Sequence, residues 1–153
     1  MPDNKQAKIM VFGTFDLIHP GHINFFKQAR RLAPNAFLIP SVARDENVAK
    51  IKSRPPRRSE NDRAGALKKL WLVDKVVLGG KKSHLPHILR ERPDIIALGY
   101  DQKAYTLNLK KDLKAKGLEV EIRRLKSFKP KLYKSGKIFA ALEKISKKAK
   151  LVL

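Results

Sequence analysis

The chain contains no cysteine, which excludes disulfides, thiolate metal sites and a cysteine nucleophile. Acidic residues are also scarce: 14 Asp and Glu stand against 35 Lys and Arg, for a formal net charge of +21. Long apolar runs are missing. Stretches such as Ile95 to Leu98 and Leu70 to Val73 are far short of the roughly 20 residues a membrane-crossing helix needs. No basic-then-apolar leader opens the sequence, so a cytoplasmic protein without membrane partners is expected. Aromatic residues make up only 7% of the chain and are not interleaved with the basic residues, as a stacking platform for nucleic acid requires.

What remains is a soluble composition. The chain has 153 residues, 42% of them hydrophobic and 32% charged. This suits one globular domain, expected over residues 1–153, with a single real core. A field of +21 attracts polyanions of any kind, nucleotide phosphates included, or else simply solvates and repels. The basic residues spread over Lys50 to Arg63, Lys110 to Lys116, Arg123 to Lys137 and Lys144 to Lys150 rather than forming one stripe. Nucleic acid is therefore not the expected partner. The same charge disfavours close self-association unless acidic residues or bound anions intervene.

Short β-rich runs alternate with helical segments along the chain. Ile9 to Phe12 reads as a buried strand ended by Gly13, and Ile23 to Leu32 carries apolar residues at helical spacing. Ala36 to Val42 reads as a second strand despite Pro40. Ser59 starts a helix, with Asp62 completing a box-like cap, that runs to about Leu72. Val76 to Leu78 is a third strand, Ser83 to Glu91 a helix, Asp94 to Gly99 a fourth strand, Thr106 to Lys116 a helix and Leu118 to Arg123 a fifth strand. A last helix is expected from about Ser135 to Lys148. Arg44 to Arg58 and Leu125 to Lys134, both basic and proline-containing, read as surface loops. Strands separated by helices imply a three-layer α/β/α fold with a mainly parallel five-stranded sheet. Ligands in such folds sit beyond the carboxyl ends of the strands.

The loop after the first strand is Gly13-Thr14-Phe15-Asp16-Leu17-Ile18-His19-Pro20-Gly21-His22. Gly13 allows a tight turn and a close ligand. Pro20 and Gly21 stand where a helix begins, so unpaired amides and the positive end of the helix dipole face outward. Two histidines three positions apart near a helix start can point the same way and donate hydrogen bonds to phosphate oxygens as charge develops. The plainer alternative is one buried and one exposed histidine. No third nitrogen or carboxylate ligand stands at a convincing metal spacing. His84 and His87 form a separate pair that reads as surface residues.

These residues carry a resemblance. Gly13-Thr14-Phe15-Asp16 followed by His19-Pro20-Gly21-His22 looks like the signature of the cytidylyltransferase-like nucleotidyltransferases, whose fold is Rossmann-like. Val42-Ala43-Arg44-Asp45-Glu46 and Leu98-Gly99-Tyr100-Asp101-Gln102 most resemble archaeal-type FAD synthetases. The resemblance implies that His19 and His22 contact a triphosphate and that Asp16 lies beside it. It implies a loop lysine over the phosphates, Lys50 or Lys52, with Lys52 favoured. It implies phosphate or acceptor contacts for Arg63, nucleoside contacts for Gly99 and Asp101, and closure of the nucleotide site by Arg124 and Ser135. Gly13, Thr14, Phe15 and Gly21 join the nucleotide-binding set as members of the signature. One departure stands out: Ser135 is followed by Gly136 where relatives often have two consecutive hydroxyl residues.

The implied reaction moves a nucleoside monophosphate from an NTP to a phosphorylated acceptor and releases pyrophosphate. ATP plus FMN giving FAD is the favoured pair, with a divalent cation, Mg²⁺, bridging the phosphates. The rival inside the enzyme class uses CTP and glycerol 3-phosphate or a similar phosphorylated alcohol or phosphonate. A basic nucleic-acid-binding module with a relic loop is the rival outside it. Relatives are often dimers, so a homodimer is a further expectation of the resemblance.

Overall fold

The computed structural model describes residues 6–102 and 106–128. Its first strand, β1, spans Lys8–Gly13 and is followed by helix α1, Pro20–Arg30, then β2, Phe37–Val42. Two helices come next, α2 over Asp45–Lys52 and α3 over Glu60–Lys68, before the short β3, Val77–Leu78. Helix α4, Leu85–Glu91, strand β4, Ile95–Leu98, helix α5, Thr106–Ala115, and strand β5, Glu121–Arg124, complete the described chain. The five strands form one sheet in the order β3-β2-β1-β4-β5, with every neighbouring pair parallel. The mainly parallel sheet expected from the sequence is thus wholly parallel in its described part.

The central strands are apolar throughout because both sheet faces are covered, the usual condition of parallel sheets. On one face Ile9, Val11, Leu38 and Val42 pack with Phe26 and Ala29 of α1 and Ala64 and Leu67 of α3. On the other Met10, Ile39, Ile96 and Leu98 pack with Ile88 of α4 and Leu109 and Leu113 of α5. Helices α1 and α3 therefore share one face while α4 and α5 share the other. The crossover changes direction at β1, and the crevice between β1 and β4 is the switch point.

Pro40 is accommodated by the alternation of the ladder. The Phe37 amide donates to Ala7 on the β1 side and the Leu38 amide to Asp74 on the other. Pro40 follows Leu38 in this alternation, so its missing N–H faces β3, whose pairing starts only at Ser41 and Val77.

Two expectations are corrected. The segment Arg44 to Arg58 is not all loop, since it contains α2. No side chain of its own caps that helix. Glu60 of α3 does so instead, taking the Asp45 amide on one carboxylate oxygen and the Arg44 guanidinium on the other, at 3.1 and 2.7 Å. Helix α3 stops at Lys68 rather than near Leu72, because Leu70 and Val73 turn back with amide bonds to Leu67 and Leu70. Helix α1 begins at Pro20, where the Pro-Gly pair puts its start. The expected last helix lies outside the described residues. Among the described residues no helix is long and apolar enough to cross a membrane.

Candidate active site

The loop after β1 is built around its glycine. Phe15 adopts φ 52°, an uncommon left-handed conformation for a bulky residue. Its buried ring folds back over Gly13, where a Cβ would stand 2.7 Å from the ring. The ring then packs edge-on to His22 and against Phe26, with centroids 5.3 and 5.5 Å away. Any side chain at position 13 would drive Phe15 off the histidine it supports.

His19 is the cap of α1, and Pro20 needs no amide partner in the first turn. Nδ1 of His19 accepts the Gly21 amide at 3.1 Å, and Nδ1 of His22 accepts the His19 amide at 3.3 Å. This is a capping box in which both acceptor roles usually filled by Ser and Glu fall to imidazoles. The rings stack with centroids 3.8 Å apart and planes 27° from parallel. With each Nδ1 accepting, the hydrogen-bond network puts the proton of each neutral ring on Nε2.

Electrostatics hold them neutral. Burial pushes His22 down to about 3; His19 and Lys52 act in the same direction, while the Leu17 backbone opposes. Burial lowers His19 as well. Lys52 is exposed, yet partial desolvation lowers its pKa, aided by Arg54 and Arg63 and opposed by Asp16 and Asp101. Lys52 thus feels a carboxylate from the loop after β1 and one from the loop after β4. Of the two lysines considered for this loop, Lys52 is the one coupled to His22. Ser53, at φ 58°, ends α2 just beyond it.

Three residues singled out in the sequence prove to be braces. Asp16 is buried, and its carboxylate accepts the Arg57 and Arg58 amides at 2.8 and 2.9 Å. Arg63 is fully buried; its guanidinium donates to the carbonyls of Thr14 and Arg58 and pairs with Asp45 at 2.6 Å. Together they fasten the α2–α3 connection to the loop after β1. Arg124, at the end of β5, donates to the carbonyls of Gly99 and Gln102 at 2.7 and 2.8 Å and steadies the turn that carries Asp101. His19, His22, Lys52, Gly13, Thr14, Phe15, Asp16, Gly21, Gly99 and Asp101 thus gather at the carboxyl ends of β1, β2 and β4. Ser135 lies outside the described residues.

Two features escaped the sequence. Gln28 clasps the Lys126 backbone, donating to its carbonyl and accepting from its amide, both at 2.9 Å. This lays Phe128 beside α1, where it lines with Ile18, His19, Pro20, Ile23, Asn24 and Lys27 a groove of about 510 Å³. The second feature is Gln102, taken up below. A further depression of about 450 Å³, lined by Lys110, Lys114 and residues 119–121, lies at the opposite end of the sheet. It holds none of the gathered residues.

The second histidine pair is not exposed as expected: His84 is half-buried and His87 lies inside. His87 is buried, its Nε2 lies 2.9 Å from the Ser41 hydroxyl, and Phe12 meets His84 and His87 edge-on at 6.1 and 6.0 Å. Among the described residues no group of three His, Cys, Asp or Glu is arranged to hold a metal ion.

The described residues thus form a doubly wound parallel sheet with a stacked histidine pair at the first helix start, where such folds bind their ligands. The profile of the cytidylyltransferase-like family matches residues 10–146. The chain belongs to that family and is a nucleotidyltransferase. It is 48% identical to an FAD synthase of Korarchaeum cryptofilum, over 79% of this chain and 82% of that protein. With an FAD synthase of Pyrococcus horikoshii it shares 44% identity over 90% and 89% of the two chains. A crystal structure described as a lipopolysaccharide core biosynthesis protein from Thermoplasma volcanium superimposes with a TM-score of 0.74. That pair is 32% identical, and the match covers 81% of this chain and 99% of the other.

Proposed function

We propose that this protein transfers AMP from ATP to FMN, forming FAD and pyrophosphate. The observation that carries the chemistry is the stacked pair His19 and His22 at the start of α1, with Nδ1 of each accepting a backbone amide and the ring proton on Nε2. The choice of ATP and FMN is supported by the run of FAD synthases, 37–48% identical, among the similar proteins.

In this reading a phosphate oxygen of FMN attacks the α-phosphorus of ATP. The bond from that phosphorus to its bridging oxygen breaks, and pyrophosphate leaves in line. A phosphate monoester is already nucleophilic near neutral pH, so positioning and charge neutralisation supply the acceleration. His19 and His22 donate to oxygens on which charge grows, and Lys52 neutralises charge from the α2 side. The amides of residues 13–16 line the phosphates, held in place by Asp16 and Arg63, while Gly21 leaves room for them and gives its own amide to the His19 cap. Gly99 and Asp101 face the nucleoside, with Arg124 behind their turn and Ser135 as the hydroxyl that closes the site. Mg²⁺ suits this donor set: it keeps several waters and uses phosphate oxygens with one or two carboxylates. Asp16 and Asp101 are the carboxylates among the gathered residues, and Asp16 already accepts two backbone amides. The ion would add charge neutralisation on the phosphates. The proposed setting is the cytoplasm.

The test is a matrix of ATP and CTP, each with Mg²⁺, against FMN and glycerol 3-phosphate, read as pyrophosphate release and FAD formation. Turnover with ATP and FMN is expected. Release with CTP and glycerol 3-phosphate, and none with ATP and FMN, would overturn the substrate pair.

A further inference from the structure

Strands β1 and β4 pair from Ile9 and Ile95 up to Val11 and Ala97 and then part. Beyond that point the Phe12 carbonyl and the Gly99 amide have lost the ladder that would satisfy them, and such groups need partners. The carboxamide of Gln102 supplies both. Its Oε1 accepts the Gly99 amide at 2.9 Å, and its Nε2 donates to the Phe12 carbonyl at 2.6 Å. One side chain thus stands in the split as a peptide group would, forming a rung between strands whose backbones no longer reach each other. The rung is itself fixed: the Gln102 amide donates to the Gly99 carbonyl at 3.2 Å, and Arg124 bridges the carbonyls of Gly99 and Gln102.

This split is the switch-point crevice. One lip leads through Phe12 into Gly13 and the histidine loop; the other leads through Gly99 into Asp101. We infer that Gln102 is a positioning residue that sets the width of the crevice and so the spacing between the phosphate-handling lip and the Gly99–Asp101 lip. Its length decides the fit, because a bond must be made at each end of one planar amide. Asparagine is one methylene short for both. The His19–His22 pair is locked by its own cap and does not depend on this rung. Loss of Gln102 therefore weakens nucleotide binding while leaving turnover at saturation close to the parent's.

The inference rests on nucleotide binding at the crevice and not on the identity of the acceptor. It is tested by titrating ATP, and separately CTP, into the parent protein, Gln102→Ala and Gln102→Met without FMN, alongside kcat, KM and thermal melting. Methionine keeps most of the volume and removes both hydrogen bonds. The expected result is a loss of about tenfold or more in affinity for the preferred nucleotide, the scale of one misplaced polar contact. KM should rise in parallel, kcat should stay within about threefold, and melting should be cooperative. A parent that prefers CTP would defeat the ATP reading and still allow the comparison at position 102. Affinity within twofold of the parent in Gln102→Met would overturn the inference. So would loss of kcat at unchanged affinity, or failure of Gln102→Met to fold, since the amide would then serve the fold alone.

Discussion

The molecule carries two histidine pairs with the same spacing at the starts of two helices, and they have opposite uses. His19 and His22 flank Pro20 and Gly21 at the start of α1. Their Nδ1 atoms are consumed by backbone amides, which puts the ring proton of each on Nε2. His84 and His87 stand at the start of α4 on the other face of the sheet. There His84 makes no capping bond through its side chain, and His87 turns Nε2 inward to Ser41 beneath the rim of Phe12. Burial lowers the pKa of both pairs, His22 to about 3 and His87 to about 4. A depressed pKa therefore does not distinguish chemistry from packing. What distinguishes them is which ring nitrogen the fold consumes.

The largest expected effect lies in the first pair. His22→Ala should lose on the order of 10²–10³ in kcat, the typical cost of one transition-state donor, with a circular dichroism spectrum like the parent's. His87→Ala should do the reverse. Turnover should stay within a few-fold, while thermal melting reports a loss of about 1–3 kcal/mol from the orphaned Ser41 hydroxyl and the vacated volume. A fall in kcat for His87→Ala as deep as that for His22→Ala would erase the contrast.

Acid should probe both pairs together. Each histidine has a folded pKa below its ordinary value of 6.5, so on acidification the unfolded chain takes up its protons first. Their stabilising contribution is complete above about pH 6.5 and declines as pH falls toward about 4 for His87 and about 3 for His22. Each adds a slope of at most about 1.4 kcal/mol per pH unit. Urea midpoints should accordingly be lower at pH 5 than at pH 7.5. In His87→Ala the difference should shrink; an unchanged pH dependence there would remove His87 from the account.

The contrast also shows what local sequence reveals. Strand β1, the start of α1 at Pro-Gly, and the clustering of residues 13–22 were legible because the determining neighbours lie within a few positions. The α2 helix was not, since its cap comes from Glu60 and only Val48 is buried along it; basic composition alone reads as loop. His87 looked like a surface residue because the groups that bury it, Phe12 and Ser41, belong to other strands. The bracing by Asp16, Arg63 and Arg124 was not legible, for their partners are mostly backbone groups that no side-chain pattern reports. Gln102 was quoted within a motif and its task went unseen, because its amide reaches the Phe12 carbonyl 90 positions away. Sequence identified the chemistry at phosphorus, and the three-dimensional ladder identified what holds the lips of the site apart.

The most direct test of the two uses is a histidine-ring ¹⁵N–¹H spectrum recorded at pH 7.5 before and after addition of ATP and Mg²⁺. The account predicts Nε2–H tautomers for His19 and His22 and shifts on ATP addition confined to that pair, with His84 and His87 unmoved. Shifts in His84 and His87 with His19 and His22 unchanged would contradict it.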